Sequence, residues 1–218
     1  MTAGWSDLYR RRKAAQARFG RSVHALPLVR RPIDLLLRCT PEGARVLDVG
    51  GAGQRLAATF AKHGRGVRYE SLEPDPVAEA DHRGFATVTG TFDTVACLEV
   101  LEHLPLPAVT TVLQQMARVL GPGGHVVVSV PNVFRPQEQL RDATHVTPLC
   151  WDQLAAFVEG AGLHVVSVHR GYAAPFLRRV VQRTLFGWLF RLLGLDYARQ
   201  IVLVARPAPA AGQLDADE

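Results

Sequence analysis

VLDVGGAGQRLAATF, residues 46–60, decides the fold. A short apolar run at 45–50 ends in glycines, and a helical pattern takes over at 54–63. The run is too short for a helix and too uniformly apolar for a half-exposed strand. It reads as a buried parallel strand entering a Gly-rich turn. Glycines there let backbone approach a ligand closely, and the helix N-terminus behind them makes a polar cradle. The turn alone fits a nucleotide, a dinucleotide or no ligand. Asp48 narrows the choice. A carboxylate inside the strand end suits a ligand ammonium better than a pyrophosphate, because like charges repel.

Working outward, residues 67–73 read as a second strand whose last residue is Glu73, placed to accept hydrogen bonds from two ribose hydroxyls. Further strands are expected at 92–98, 125–131, 163–170 and 199–206. Helices are expected at 107–119, where Val109, Val112, Leu113, Met116 and Val119 keep helical spacing, and at 151–161. The sequence GPGG at 121–124 should end the first of them. Residues 5–40 read as helices. Strands alternating with helices give an α/β domain with a mostly parallel sheet.

The chain has 218 residues and a net charge of +5, unevenly placed. Residues 1–38 hold nine basic against two acidic side chains, residues 39–169 nine against fourteen, and residues 170–199 six against one. An acidic middle between basic flanks excludes a uniformly basic nucleic-acid coat and directs attention to the flanks for an anionic partner. Three widely spaced cysteines form no CxxC pair and no disulfide framework, which fits a reducing cytoplasm. The polar, basic opening lacks the apolar run of a signal peptide, and no apolar stretch is long enough to span a bilayer.

Between residues 40 and 206 the chain resembles the class I S-adenosylmethionine-dependent methyltransferases. The resemblance rests on VLDVGGAGQ, LEPDP, FDTVACLEVLEHLP, LGPGGHVVVSVPN and HVTPLCWDQLAAFVEGAGLHVV, in that order. Within the family, LEVLEHLP is most similar to the ubiquinone-biosynthesis O-methyltransferase group. The resemblance implies a doubly wound, seven-stranded Rossmann-like sheet. Residues 1–40 would form an N-terminal helical cap, 41–206 the catalytic domain with a helical lid at 171–198, and 207–218 a disordered tail. It implies that Asp48, Gly50, Gly51 and Gly53 line the methionine part of S-adenosylmethionine, Glu73 the ribose, and Leu98 and Glu99 the region near the sulfonium. Ala52 and Gln54 stand where the family has glycines. The segment 74–91 is short for the usual helix, strand and adenine-binding loop; Asp81 is its candidate adenine ligand, with Phe85 or Thr87 as alternatives.

Glu99, Glu102 and His103 are spaced i, i+3, i+4, so a helix opening at 99 would put them on one face. His145 follows the next strand and belongs to a loop at the same sheet edge. Two carboxylates and two imidazoles form a candidate site for a divalent metal such as Mg. The resemblance supports this, since some ubiquinone-type enzymes and the small-RNA 3′-end 2′-O-methyltransferases use an ExxEH with metal. His103 or His145 is alternatively a metal-free catalytic base. The expected activity is methyl transfer to a hydroxyl, with an amine second, of a small-molecule or lipid-linked acceptor. The rivals are a cofactor-binding but idle domain and a metal-dependent RNA-end methyltransferase. Nucleic acid is disfavoured, because a single-stranded RNA platform would interleave aromatics with the arginines. Residues 175–195 read as one amphipathic helix, suited to a substrate lid, peripheral membrane contact or a homodimer contact.

Overall fold

A computed structural model describes residues 4–209. Seven strands form one sheet in the order β1-β6-β7-β5-β4-β2-β3. They are β1 (Leu28–Val29), β2 (Arg45–Val49), β3 (Arg68–Leu72), β4 (Phe92–Leu98), β5 (Leu120–Pro131), β6 (Leu163–Gly171) and β7 (Gln200–Pro207). Only β7 runs against its neighbours. The helices are α1 (Trp5–Phe19), α2 (Pro32–Cys39), α3 (Arg55–Lys62), α4 (Leu106–Val119), α5 (Pro136–Leu140), α6 (Trp151–Gly160), α7 (Phe176–Thr184) and α8 (Gly187–Leu192).

Strand residues alternate between two cores, as the two-residue period of a strand requires. Leu47, Val95, Cys97, Val126 and Val128 join Val109, Leu113 and Met116 of α4 and Leu154 and Val158 of α6. Val46, Ala96, Val127, Val202 and Val204 face the other way, onto Leu35 and Leu36 of α2 and Phe60 of α3. Both faces of the central strands are therefore covered, which is why those strands read as continuous apolar runs.

Three expectations need correction, and one is met. Residues 5–40 are not wholly helical: Leu28 and Val29 pair with Arg170 and Gly171 as an edge strand. GPGG does not lie outside the sheet. β5 already begins at Leu120, opposite Phe92, and the next pair is Thr94 with His125, so the glycines form a bulge. The segment 74–91 is as short of structure as its sequence reads, with one 3₁₀ turn, Phe85–Thr87, and no α-helix or strand. Its one sheet contact is a bridge between His82 and Leu72, which closes the edge of β3. The 175–195 stretch is two helices, split at Leu185–Phe186.

The N-terminal segment is tied into the domain by charge as well. Arg12 of α1 reaches Asp152 at 3.0 Å, and Arg18 reaches Glu159 at 2.5 Å. Below α7 and α8, Asp196 is buried and accepts from Arg170 at 3.0 Å and Asn132 at 2.9 Å, fixing the return of the chain to β7. The proposed tail beyond 209 lies outside the described residues, as do the side chains of Phe176, Arg178, Arg179 and Arg183.

Candidate active site

The chain leaves β2 for β3 on one side and then crosses to β4 on the other. The strand ends therefore diverge between β2 and β4, and ligands of open parallel sheets bind at such a point. Asp48 stands there, 5% exposed, accepting a 2.7 Å hydrogen bond from the Tyr69 hydroxyl. Burial pushes its carboxyl up to about 6, against the pull of that hydrogen bond.

The glycines behind it have separate reasons. Gly50 has φ +82°, and a β-carbon there would fall 2.3 Å from Val100 Cγ2. A β-carbon on Gly51 would meet Asp48 Oδ2 at 2.8 Å, so backbone alone can pass the carboxylate. Gly53 has φ +71° with open space around it. Gln54 has φ 51°, a left-handed backbone on a residue with a β-carbon. The absence of the expected glycine is thus tolerated at a backbone cost, and Ala52 opens a 3₁₀ turn that is kinked at Gly53.

Glu73, half-buried at the end of β3, accepts from the amide of Asp75 at 3.1 Å. Asp81 is held by the Ser71 amide and hydroxyl, both at 2.8 Å to Oδ2, and these bonds lower its pKa. Its carboxylate therefore secures the short 74–91 segment to β3, and only Oδ1 is left for an adenine amine. Thr87 is used locally, bonding the Gly84 carbonyl at 3.0 Å, and Phe85 packs against the core.

The ExxEH segment departs from the helix expected of it. Glu99 has φ 57°, and a 3₁₀ turn, Leu101–His103, follows. Glu99 is turned away from the other two, toward Ser129, whose hydroxyl donates to Oε1 at 2.8 Å. Burial raises the Glu99 pKa. Glu102, His103 and His145 do come together, with donor atoms within 4.8 Å of one another. The His103 and His145 rings meet edge to face at 4.8 Å. The loop bearing His145 is held to the turn by Thr147, whose amide donates to the Glu102 carbonyl at 3.0 Å. Both Glu102 carboxylate oxygens are buried without a donor. Burial first, then the charge of Glu99, pushes Glu102 up to about 8. The metal set read from sequence therefore loses Glu99 and keeps one carboxylate and two imidazoles, donors better matched to zinc or iron(II) than to magnesium.

Hydrogen-bond logic fixes the His103 tautomer. Asp142 has a lowered pKa, chiefly through its bonds to Thr144, and so can only accept. The Thr144 hydroxyl must donate to it, at 2.6 Å, and therefore accepts from His103 Nδ1 at 2.8 Å. Nδ1 is therefore a donor, and Nε2 is the ring nitrogen not engaged by Thr144. Sequence reasoning missed Tyr69, Ser129 and the Asp142–Thr144 pair. Ser129 stands out only as a polar residue within an apolar strand, and Tyr69 sits in the mixed strand RYESL, where nothing marks it.

A family model described as a methyltransferase domain matches residues 21–168. A ubiquinone biosynthesis O-methyltransferase of Xylella fastidiosa (strain 9a5c) is 33% identical over 213 residues, covering 82% of this chain and 80% of its own length. One from Xanthomonas oryzae pv. oryzae (strain PXO99A) is 37% identical over 128 residues, 50% of this chain and 52% of that protein, so the chain spans about half the length of that relative. A SAM dependent methyltransferase from Archaeoglobus fulgidus has the same fold, with TM-score 0.65 and 14% identity over 93% of this chain and 99% of that one. The [4+2]-cyclase SpnF also shares it, with TM-score 0.57 and 17% identity over 80% of this chain and 79% of that one. The fold by itself therefore does not fix the reaction.

Proposed function

The chain belongs to the methyltransferase-domain family, and on that premise we propose that it transfers the methyl group of S-adenosylmethionine to a hydroxyl of a small or lipid-linked acceptor. The observation that carries this reading is a base-ready imidazole, His103, on the same sheet edge as the Asp48 cradle. Asp48 would pair with the ammonium of the cofactor, the Gly50–Gly51 backbone would pass its carboxylate, and Glu73 would hold the ribose. Leu98 and Glu99 would border the sulfonium, and Asp81 Oδ1 would be the adenine contact.

Transfer is an in-line displacement. The acceptor oxygen bonds to the methyl carbon while the carbon–sulfur bond breaks and its electron pair stays on sulfur. The acceptor proton leaves to His103 Nε2, and Thr144, anchored by Asp142, holds the ring through Nδ1 so that Nε2 is the nitrogen free to take it. Alignment does most of the remaining work. An amine acceptor would need the same proton removal.

A metal reading is favoured by the orphaned Glu102 oxygens. Glu102, His103 and His145 would hold a divalent cation, which when bound supplies acidification of an acceptor hydroxyl. Thr144 on Nδ1 would then orient His103 as a ligand. Metal analysis of the purified chain checks this: bound metal should disappear in His145→Ala.

The exposed apolar residues of α7 and α8, Leu177, Trp188 and Leu192 among them, support a lipid-linked acceptor or an anionic membrane surface. A second copy of the chain would cover them equally well. Sedimentation with anionic vesicles, compared with the mass in solution, separates the two: a dimer that ignores vesicles overturns the membrane contact.

The central test is calorimetric titration with S-adenosylmethionine, followed by labelled methyl transfer into a panel of phenols, alcohols and amines. No binding at millimolar cofactor overturns the reading. Binding without transfer to any member favours the idle-domain alternative.

A further inference from the structure

We propose that the cavity lined by Arg30, Arg31, Arg141 and Arg199 anchors an anionic group, a carboxylate or phosphate, carried by the acceptor. This rests on the methyl-transfer reading and names its substrate class. The cavity is about 260 Å³ and also touches Glu99 and Gln200. That size takes a head group rather than a whole ligand.

The charge balance within it is one-sided. Glu138 of α5 is buried and binds three guanidiniums: Arg199 through two bonds of 3.1 Å, Arg135 at 3.1 Å and Arg141 at 3.6 Å. In the lining itself, four arginines face two carboxylates, Glu138 and Glu99, and Glu138 is shared between Arg141 and Arg199. Arg31 is answered by Asp34 at 2.7 Å. Arg30 has no ion pair or side-chain hydrogen bond among the described residues. A concave wall with excess guanidinium concentrates anions, and the planar guanidinium fork matches the two oxygens of a carboxylate or phosphate. An arginine-biased code scatters arginines. It does not explain four that reach one cavity from positions 30, 31, 141 and 199.

The position fits an acceptor. Arg30 and Arg31 follow β1, Arg199 precedes the antiparallel β7, and Glu99 follows β4, so all lie on the edge that carries the Asp48 cradle. Glu99 both lines the cavity and begins the turn that carries Glu102 and His103. An anion held by the arginines is thereby placed beside Glu99, three residues before Glu102 and four before His103 in the chain.

The test uses the full chain at low ionic strength and titrates sodium benzoate and inorganic phosphate separately by calorimetry. Both Arg30→Gln and Arg141→Gln should weaken whichever anion the wild type binds by roughly 10- to 100-fold. Arg118→Gln, in the last turn of α4 at the opposite sheet edge, should change nothing. Preference for benzoate identifies a carboxylate acceptor, and preference for phosphate identifies a phosphorylated one. No binding of either anion, or equal binding by the variants, overturns the proposal. S-adenosylmethionine titrated into the same samples keeps the two readings apart. Cofactor binding without anion binding sinks the anion site alone, whereas anion binding without cofactor binding sinks the methyl-transfer reading and with it the assignment of the anion to an acceptor, leaving a bare anion site.

Discussion

Two buried glutamates on the same sheet edge live in opposite surroundings. Glu102, 1% exposed, has no donor on either oxygen and lies close to the paired imidazoles of His103 and His145. Glu138, 6% exposed, is saturated by three arginines. The β2–β4 bank, with Asp48, Glu99 and Glu102, is acidic and under-satisfied. The bank formed by β1, α5 and the start of β7 is basic and over-satisfied. Unpaired buried groups cost stability and are kept where they have chemistry to perform, whereas a saturated carboxylate is a structural post. The edge is thereby divided into a half suited to a cationic cofactor and a half suited to an anion.

The division can be broken most forcefully at His103. His103→Ala should lower turnover by roughly 10²- to 10⁴-fold with cofactor affinity unchanged, measured as single-turnover methyl transfer against a cofactor titration. An equal loss of both would mean that the acidic bank is one indivisible site.

Asp48→Asn comes next and should weaken S-adenosylmethionine by roughly 100-fold, since it removes the charge that meets the ammonium. The same group sets a pH dependence. Its folded pKa is raised to about 6 from 3.8, so the stability it contributes is fully present below about 4 and is lost as pH rises through 6. The loss reaches about 3 kcal/mol. Cofactor binding runs the other way: it needs the carboxylate, so affinity should fall up to about tenfold per unit below pH 6. Melting curves and cofactor titrations between about pH 4 and 7 should show opposite slopes in wild type, and Asp48→Asn should flatten the cofactor slope and remove the Asp48 share of the melting slope.

Glu138→Gln and Glu102→Gln set the two banks directly against each other. The first should cost about 2 kcal/mol in chemical denaturation, because three partly exposed arginines lose their shared partner. The second should stay within about 1 kcal/mol in the presence of chelator, since no hydrogen bond is lost. Equal costs would erase the contrast. Gln54→Gly is the smallest effect. It should stabilise the cradle by about 1 kcal/mol, read as a rise in melting temperature, by relieving a left-handed backbone.

The legibility of the sequence follows the same boundary. The cradle bank is nearly continuous in the chain, so VLDVGGAGQ and LEVLEH announced it, and the buried parallel strands announced the sheet. Two-residue β1 and five-residue α5 are too short for any periodicity to register. GPGG read as punctuation because a bulge and a break use the same residues. The turn of Glu99 toward Ser129 depends on a backbone angle imposed by the neighbouring strand, which side-chain spacing cannot reveal. The arginine cavity is assembled from three segments, at 30–31, 141 and 199, that are far apart in the chain, and local pattern is blind to that.

The short edge strand β1 carries a consequence for how such a protein can diversify. Its two residues pair only with β6, and the arginines after it reach the cavity from the rim of the sheet. The cradle between β2 and β4 sits four strands inward. Substitutions in residues 30 and 31 can therefore retune which acceptor is retained while the interior that holds the cofactor keeps its packing. Specificity is stored in a replaceable margin, and the chemistry in the part least free to change.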